Sequence, residues 1–251
     1  MSNRLEGKVA LVTGGASGMG AATSRLFAAQ GASVLIADVL EDEGSAVASE
    51  LCEQGLEAKF VRLDVTDEAN WSAVCDFAQS HYQRIDVLVN NAGVSGSDPD
   101  LFSLERWDQQ MDVNARSVFL GMRTVVPLMR EQGQGSIINI SSISGLVGQT
   151  VVHMGYNAAK GAVRLASKAA AVQLARYNIR VNSVHPGVMP AMRTSMMTGD
   201  PAVREKMLRA IPMRREGRVE EVANVNLFLA SDESSYVTGV EIPVDGGYVA
   251  T

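Results

Sequence analysis

The stretch that decides the fold is Val9-Ala10-Leu11-Val12-Thr13-Gly14-Gly15-Ala16-Ser17-Gly18-Met19-Gly20. Its first half is a continuous β-branched and apolar run, the pattern of a strand buried on both faces of a parallel sheet. Its second half is a glycine-rich turn that opens into a helix-like stretch. Gly14, Gly18 and Gly20 let the backbone turn tightly and approach a ligand closely. The free N–H groups and positive dipole end of the following helix then face that ligand, which suits a pyrophosphate. Ser17 and Met19 lie in the same turn. A glycine-rich turn alone is weak evidence, but its position between a first strand and a first helix makes it strong.

The same alternation continues outward to both ends of the chain. Strands are predicted at Lys8–Thr13, Ser33–Asp38, Ala58–Asp64, Val87–Asn90, Ser136–Ser141, Arg180–Val184 and Val240–Val244. Helices are predicted at about 18–30, 41–54, 67–82, 103–131, 155–177 and 219–231. Strict β/α alternation implies an α/β, doubly wound Rossmann fold: one domain over residues 1–251, with a seven-stranded parallel sheet and helices on both faces. Two segments break the rhythm. Residues 93–102 form a Gly/Ser/Asp-rich loop, and residues 187–212, with five of the twelve methionines, follow a Pro-Gly pair. Loops at the carboxyl ends of parallel strands are where open α/β sheets bind ligands. The second segment is therefore the expected substrate loop, with a plain surface helix pair as the alternative.

Composition narrows the function. A net charge of −6 with no basic run disfavours nucleic acid. No apolar run approaches a membrane span and no apolar signal core opens the chain, so a cytoplasmic protein is the simplest expectation. Cys52 and Cys75 share no metal-ligand spacing with the histidines, and no metal is expected.

Asp38 ends the second strand, eighteen residues beyond Gly20, where a carboxylate would chelate ribose hydroxyls and repel a 2′-phosphate. Val39 and Leu40 offer no cation to offset it, so NAD is favoured over NADP. Asp38 could equally cap the helix that begins near Glu41, or do both. Tyr156 and Lys160 stand four apart on a predicted helix and share one face. A free phenol titrates near pH ~10, and lowering that by about 3 units takes roughly 4 kcal/mol. One partly buried cation about 4 Å away can supply roughly that much. The pair is an acid–base candidate, with an exposed aromatic beside a lysine as the bland alternative.

Taken together, Thr13–Gly20, Asp64-Val65, Asn90-Asn91-Ala92-Gly93, Asn114, Ser142, Tyr156-x-x-x-Lys160 and Pro186-Gly187 resemble the short-chain dehydrogenases/reductases over nearly the whole chain. The closer likeness is to bacterial hydroxysteroid and secondary-alcohol dehydrogenases. The resemblance implies that Asp64 and Val65 hold the adenine and that Asn91, Ala92 and Gly93 line the ribose, Asn91 being as well suited to a structural turn. It further implies that Pro186, Gly187, Val188 and Met189 cover the nicotinamide. Tyr156 would be the acid–base and Lys160 would bind ribose hydroxyls and favour the phenolate. Ser142 would hold the substrate oxygen, in preference to Ser141 or Ser144, and Asn114 would bind a water linking Lys160 to solvent. The family commonly places threonine five residues after the proline. Here that position is Ala191, with Thr194 as a substitute after a loop shift.

Expected substrate contacts are Ser142, Ser144, Gln149, Val152, His153, Tyr156 and the loop from Met189 to Met197. They suit an alicyclic, aryl or steroid secondary alcohol. For His153 an exposed loop position is an equal alternative, and His81 and His185 are expected to be structural. The small-residue face of 155–177 suggests burial on two sides, and the resemblance implies a homotetramer built on helices 103–131 and 155–177. Two other functions fit less well: a 3-oxoacyl thioester ketoreductase, and a non-catalytic NAD-binding regulator.

Overall fold

A computed structural model describes residues 3–150, 152–195 and 197–251. Val151 and Met196, the latter inside the expected substrate loop, lie outside the described residues, as do Met1 and Ser2. The elements run β1 (Val9–Thr13), α1 (Gly18–Ala29), β2 (Ser33–Asp38), α2 (Glu41–Glu53), β3 (Ala58–Arg62), α3 (Glu68–Tyr82) and β4 (Val87–Asn90). They continue through α4 (Leu104–Met111), α5 (Ser117–Gln132), β5 (Gly135–Ile140), α6 (Met154–Leu174), β6 (Ile179–Pro186), α7 (Pro201–Arg209), α8 (Val219–Ala230) and β7 (Glu241–Val244).

The described strands form one parallel sheet in the order β3-β2-β1-β4-β5-β6-β7. The order reverses between β1 and β4, which opens a crevice at their carboxyl ends. Side chains alternate across the pleat. Ala10, Val12, Val34, Ile36, Val87 and Val89 pack with α1, α2 and α8 on one face. Leu11, Leu35, Leu88 and Ile137 pack with Trp71, Val118, Val125 and Val163 of α3, α5 and α6 on the other. The sheet is thus covered on both faces, which explains its continuous apolar strands. Among the described residues the outer strand β7 pairs only with β6, and it carries Pro243 in that pairing.

Several expected boundaries move. β3 stops at Arg62 rather than Asp64, because the Asp64 carboxylate folds forward to accept from the Thr66 N–H (2.9 Å) and hydroxyl (2.7 Å). The single helix expected over 103–131 is two, joined by a π-helical turn at Asp112–Arg116. Helix α6 starts one residue early at Met154, capped by His153. Its expected end becomes a separate 3₁₀ turn at Ala175–Tyr177, closed by Asn178 at φ 58°. The segment 187–212 holds a 3₁₀ turn at Met197–Gly199 and α7, whose residues are not buried.

Candidate active site

The glycine-rich turn has the geometry its residues demand. Gly14 (φ +64°) and Gly18 (φ +52°) adopt left-handed conformations, and a Cβ on Gly20 would lie 2.0 Å from the Gly14 carbonyl oxygen. Thr13 locks this turn to the end of β4: its hydroxyl accepts from the N–H groups of Asn91 and Ala92, both at 3.0 Å. The Asn91 amide donates to the carbonyls of Thr13 (2.9 Å) and Gly14 (3.2 Å). Asn91 is therefore a structural clamp, and it also lines the cleft below.

Asp38 is buried and braces the turn ahead of α2 without capping that helix, whose N-cap is Leu40. One oxygen accepts from the Ala16 N–H (3.0 Å) and the other from the Leu40 N–H (3.2 Å), just ahead of α2. Beside it in register stands Arg62 of β3, whose guanidinium pairs with Glu41 at 3.1 Å. The Thr66 bonds hold the Asp64 carboxyl below its usual range, and Val65 is buried. This edge fits a dinucleotide on three observations. A Cβ at Gly18 would meet nothing within 4 Å, the Ser17 hydroxyl makes no capping bond at the start of α1, and Asn91 Oδ1 is buried without a hydrogen-bond partner.

From that edge a cleft runs between the ends of β4, β5 and β6 and the 187–212 segment. Met19, Asn91, Gly93, Asn114, Ser142, Ser144, Gln149, Val152, Tyr156, Lys160 and Pro186 through Met189 all line it. The expected catalytic set therefore meets at one place. Gly14, Ser17, Gly18, Gly20, Asp38, Val39, Asp64, Val65 and Ala92 do not line this cleft; they lie beside it, at the turn into α1 and the carboxyl ends of β2, β3 and β4.

Tyr156 and Lys160 are neighbours, the ammonium lying over the phenol ring. The Lys160 ammonium is 5.7 Å from the Tyr156 ring centre and donates to the Ile140 carbonyl at 2.9 Å. Burial pushes Lys160 down to about 8. Burial also pushes the Tyr156 phenol above its ordinary value, and the opposing pull is a hydrogen bond from Ser142. The structure adds to the expected roles: beside Lys160, Ser142 also acts on the phenol within the chain itself. Ser142 is in turn held from behind. Its hydroxyl accepts from the Ser144 N–H at 3.1 Å, and its carbonyl meets His185 Nδ1 at 3.0 Å. Since a carbonyl only accepts, Nδ1 carries the proton and His185 Nε2 accepts from the Ser183 hydroxyl at 2.9 Å.

Asn114 is fully buried in the π-turn and faces the loop after β4. Its oxygen accepts from the Val94 N–H (3.1 Å), and its amide donates to the Val94 carbonyl (3.2 Å) and to Gln110 (2.5 Å). A Cβ on Gly93 would lie 2.7 Å from Asn114 Oδ1 and 3.6 Å from Lys160 Nζ, so the three are close neighbours.

His153 is a correction. It is neither an exposed loop residue nor a lining residue of the cleft. It is buried, its ring accepts from the Gly155 N–H at 3.0 Å, and its own N–H donates to the Gly96 carbonyl. Thr194 is another. Its hydroxyl accepts from the Ser95 N–H at 3.0 Å, tying the 93–102 loop to the substrate loop, and it does not line the cleft. Lining residues that sequence reasoning passed over include Val94, Ser95, Gly96, Thr198, Arg204 and Met207. Their only signal was membership of the two irregular segments.

A family model described as enoyl-(acyl carrier protein) reductase matches residues 14–249. A 3-alpha-(or 20-beta)-hydroxysteroid dehydrogenase of Mycobacterium tuberculosis is 48% identical over 252 residues, covering 100% of this chain and 92% of that protein. A cyclopentanol dehydrogenase of Comamonas testosteroni is 46% identical over 248 residues, covering 98% and 99%. Among solved structures, a gluconate 5-dehydrogenase from Burkholderia cenocepacia, in complex with NADP and tartrate, superimposes with a TM-score of 0.93 at 33% identity, covering 99% of this chain and 98% of that one. With its sheet order, its cleft and these similarities, the chain belongs to the short-chain dehydrogenase/reductase family.

Proposed function

We propose that the protein is an NAD-dependent dehydrogenase that interconverts a cyclic secondary alcohol, of alicyclic, aryl or steroid type, and its ketone. It is an alcohol dehydrogenase of its family, and that family uses a nicotinamide cofactor. The observation that carries the finer reading is the meeting of Tyr156, Ser142 and Lys160 in one cleft at the switch point of the sheet.

The start of α1, with Ser17, Gly18 and Met19, would hold the pyrophosphate. Asp38 and Val39 would hold the adenosine ribose, and Asp64 and Val65 the adenine. Asn91, Ala92, Gly93, Lys160 and Pro186 through Met189 would enclose the nicotinamide half. When bound, the cofactor accepts a hydride in oxidation and returns it in reduction. Tyr156 Oη takes the alcohol proton in one direction and gives it back in the other. Ser142 Oγ holds the substrate oxygen and lowers the energy of the phenolate. Lys160, buried beside Asn114 and Gly93, supplies positive charge behind the phenol, and Asn114 fixes the loop that closes over both.

NAD is favoured by the buried Asp38 carboxylate, with the adjacent Arg62 already engaged by Glu41. The relatives named for cyclic and steroid alcohols support the substrate reading. Exposed Phe119, Leu165 and Val172 on α5 and α6 support a homotetramer. Among the described residues no helix is long and apolar enough to cross a membrane.

The test is nicotinamide absorbance with a panel of cyclic ketones, run with NADH and with NADPH. Turnover with NADH is expected. A consistent preference for NADPH would overturn the cofactor reading, and cofactor binding with no turnover on any ketone would favour a regulator.

A further inference from the structure

We propose that the wall of the cleft formed by Ser95 and Thr198 binds a second oxygen of the substrate, so that the preferred substrate is an uncharged ring alcohol bearing another hydroxyl or keto group. The inference deepens the proposed dehydrogenase activity and rests on it. Its basis is a pair of hydroxyls, Ser95 and Thr198, that come from separate segments and both line the cleft.

Ser95 is fixed by its backbone. Its N–H donates to Thr194 Oγ1 and its carbonyl accepts from the buried Gln110 amide, both at 3.0 Å. The next residue, Gly96, presses against the catalytic phenol: a Cβ there would lie 2.2 Å from the Tyr156 Cβ. Ser95 therefore stands at a set position relative to Tyr156, with only its hydroxyl left to act. Thr198 faces it with an oxygen–oxygen separation of 3.4 Å. That is long for an O–H···O bond, which centres near ~2.8 Å. Each hydroxyl has one donor and two acceptor sites. A weak mutual contact leaves the pair able to share a third oxygen, one hydroxyl donating to it and, where it is itself a hydroxyl, the other accepting from it.

The same wall carries Arg204, but its charge is spent within the protein. Its guanidinium pairs with Glu216 and donates to the carbonyls of Met189 (2.8 Å) and Thr198 (3.4 Å). It thereby holds Thr198 in place and offers no free cation to a carboxylate. Val94, Val152, Met192 and Met207 supply an apolar surround for the ring carbons. A polar pair set in an apolar, electrically neutral wall selects a neutral oxygen.

The experiment compares kcat/KM for 1,3- and 1,4-cyclohexanediol with that for cyclohexanol. The intact protein should favour at least one diol by about tenfold, the factor one net hydrogen bond gives. In the Ser95→Ala/Thr198→Val double variant that ratio should fall to within about twofold of one, while Thr198→Ser should keep it. The urea midpoint of each variant separates this effect from misfolding. Equal use of diol and monoalcohol by the intact protein overturns the inference, as does a diol preference that survives the double substitution. Stronger use of 4-hydroxycyclohexanecarboxylate than of either diol overturns it as well, since Arg204 would then be recognising an anion. Failure to turn over any of these alcohols would instead overturn the dehydrogenase reading.

Discussion

Ser142 is the residue on which the proposed chemistry turns. It touches the phenol in front, the Ser144 N–H at its side and His185 behind. Tyr156→Phe should lower kcat by about 10²–10⁴-fold and leave cofactor binding, followed by fluorescence, within about twofold. Ser142→Ala removes the one bond that lowers the phenol. The limb of kcat/KM that rises with pH in the oxidation direction should therefore move to higher pH, and an unmoved limb would assign the tuning elsewhere. Lys160 gives a prediction of opposite character. Its folded value, about 8, lies below its ordinary 10.5. Its contribution to stability is therefore fully present above about pH 10.5 and is lost as pH falls toward 8. At pH 7 the fold carries a buried ammonium, so Lys160→Met should stabilise the protein in urea there by about 1–3 kcal/mol while removing activity. At pH 10 most of that gain should vanish. The spacing of Tyr156 and Lys160 was legible as chemistry from the chain alone. That Ser142 also acts on the phenol was not, because it depends on where β5 ends relative to α6.

At the scale of elements, the loop after β4 is sewn to the helices by side chains that look unremarkable in sequence. Asn114 binds both backbone groups of Val94, Gln110 binds Ser95, and His153 binds Gly96 through its N–H. The apolar pattern over 103–131 runs on without a break, so it reads as one helix. The π-turn at Asp112–Arg116 places Asn114 against a loop twenty residues earlier, a contact that local periodicity does not encode. Thr198 and Arg204 were hidden for the same reason: they reach the cleft only because the substrate loop doubles back over it. By contrast, the boundaries of β1, β2, β4 and α1 follow the pattern closely, since buried strands and a glycine-rich turn are local signals. The tightness of the seam is testable. Gly96→Ala would drive a methyl into Tyr156, so kcat should fall at least about tenfold with the urea midpoint changed by less than about 2 kcal/mol equivalent. Retained activity would mean that the loop has room to yield.

Part of the molecule's exposed apolar surface lies on two neighbouring helices. Phe119 on α5 and Leu165 and Val172 on α6 are 59%, 68% and 82% exposed. Around Phe119 lies a depression lined by Met111, Ala115, Ala162 and Ala166. Phe119→Glu should reduce the mass measured by sedimentation velocity, from the proposed four copies of the chain toward two or one. A mass unchanged from that of the intact protein, whatever it is, would remove this face from the assembly. The doubly wound topology was legible almost entirely, because strict β/α alternation admits few arrangements. How copies meet was legible only as a surplus of small and apolar residues on one helix. The outer strand β7 carries Pro243, which has no N–H to give. A sheet ending on such a strand lacks a full row of donors along its rim, so a seventh strand cannot serve as a template for an eighth. Growth by continuous β-pairing from subunit to subunit is closed off at that edge, and a finite particle joined by side chains is the form of association left to the chain there.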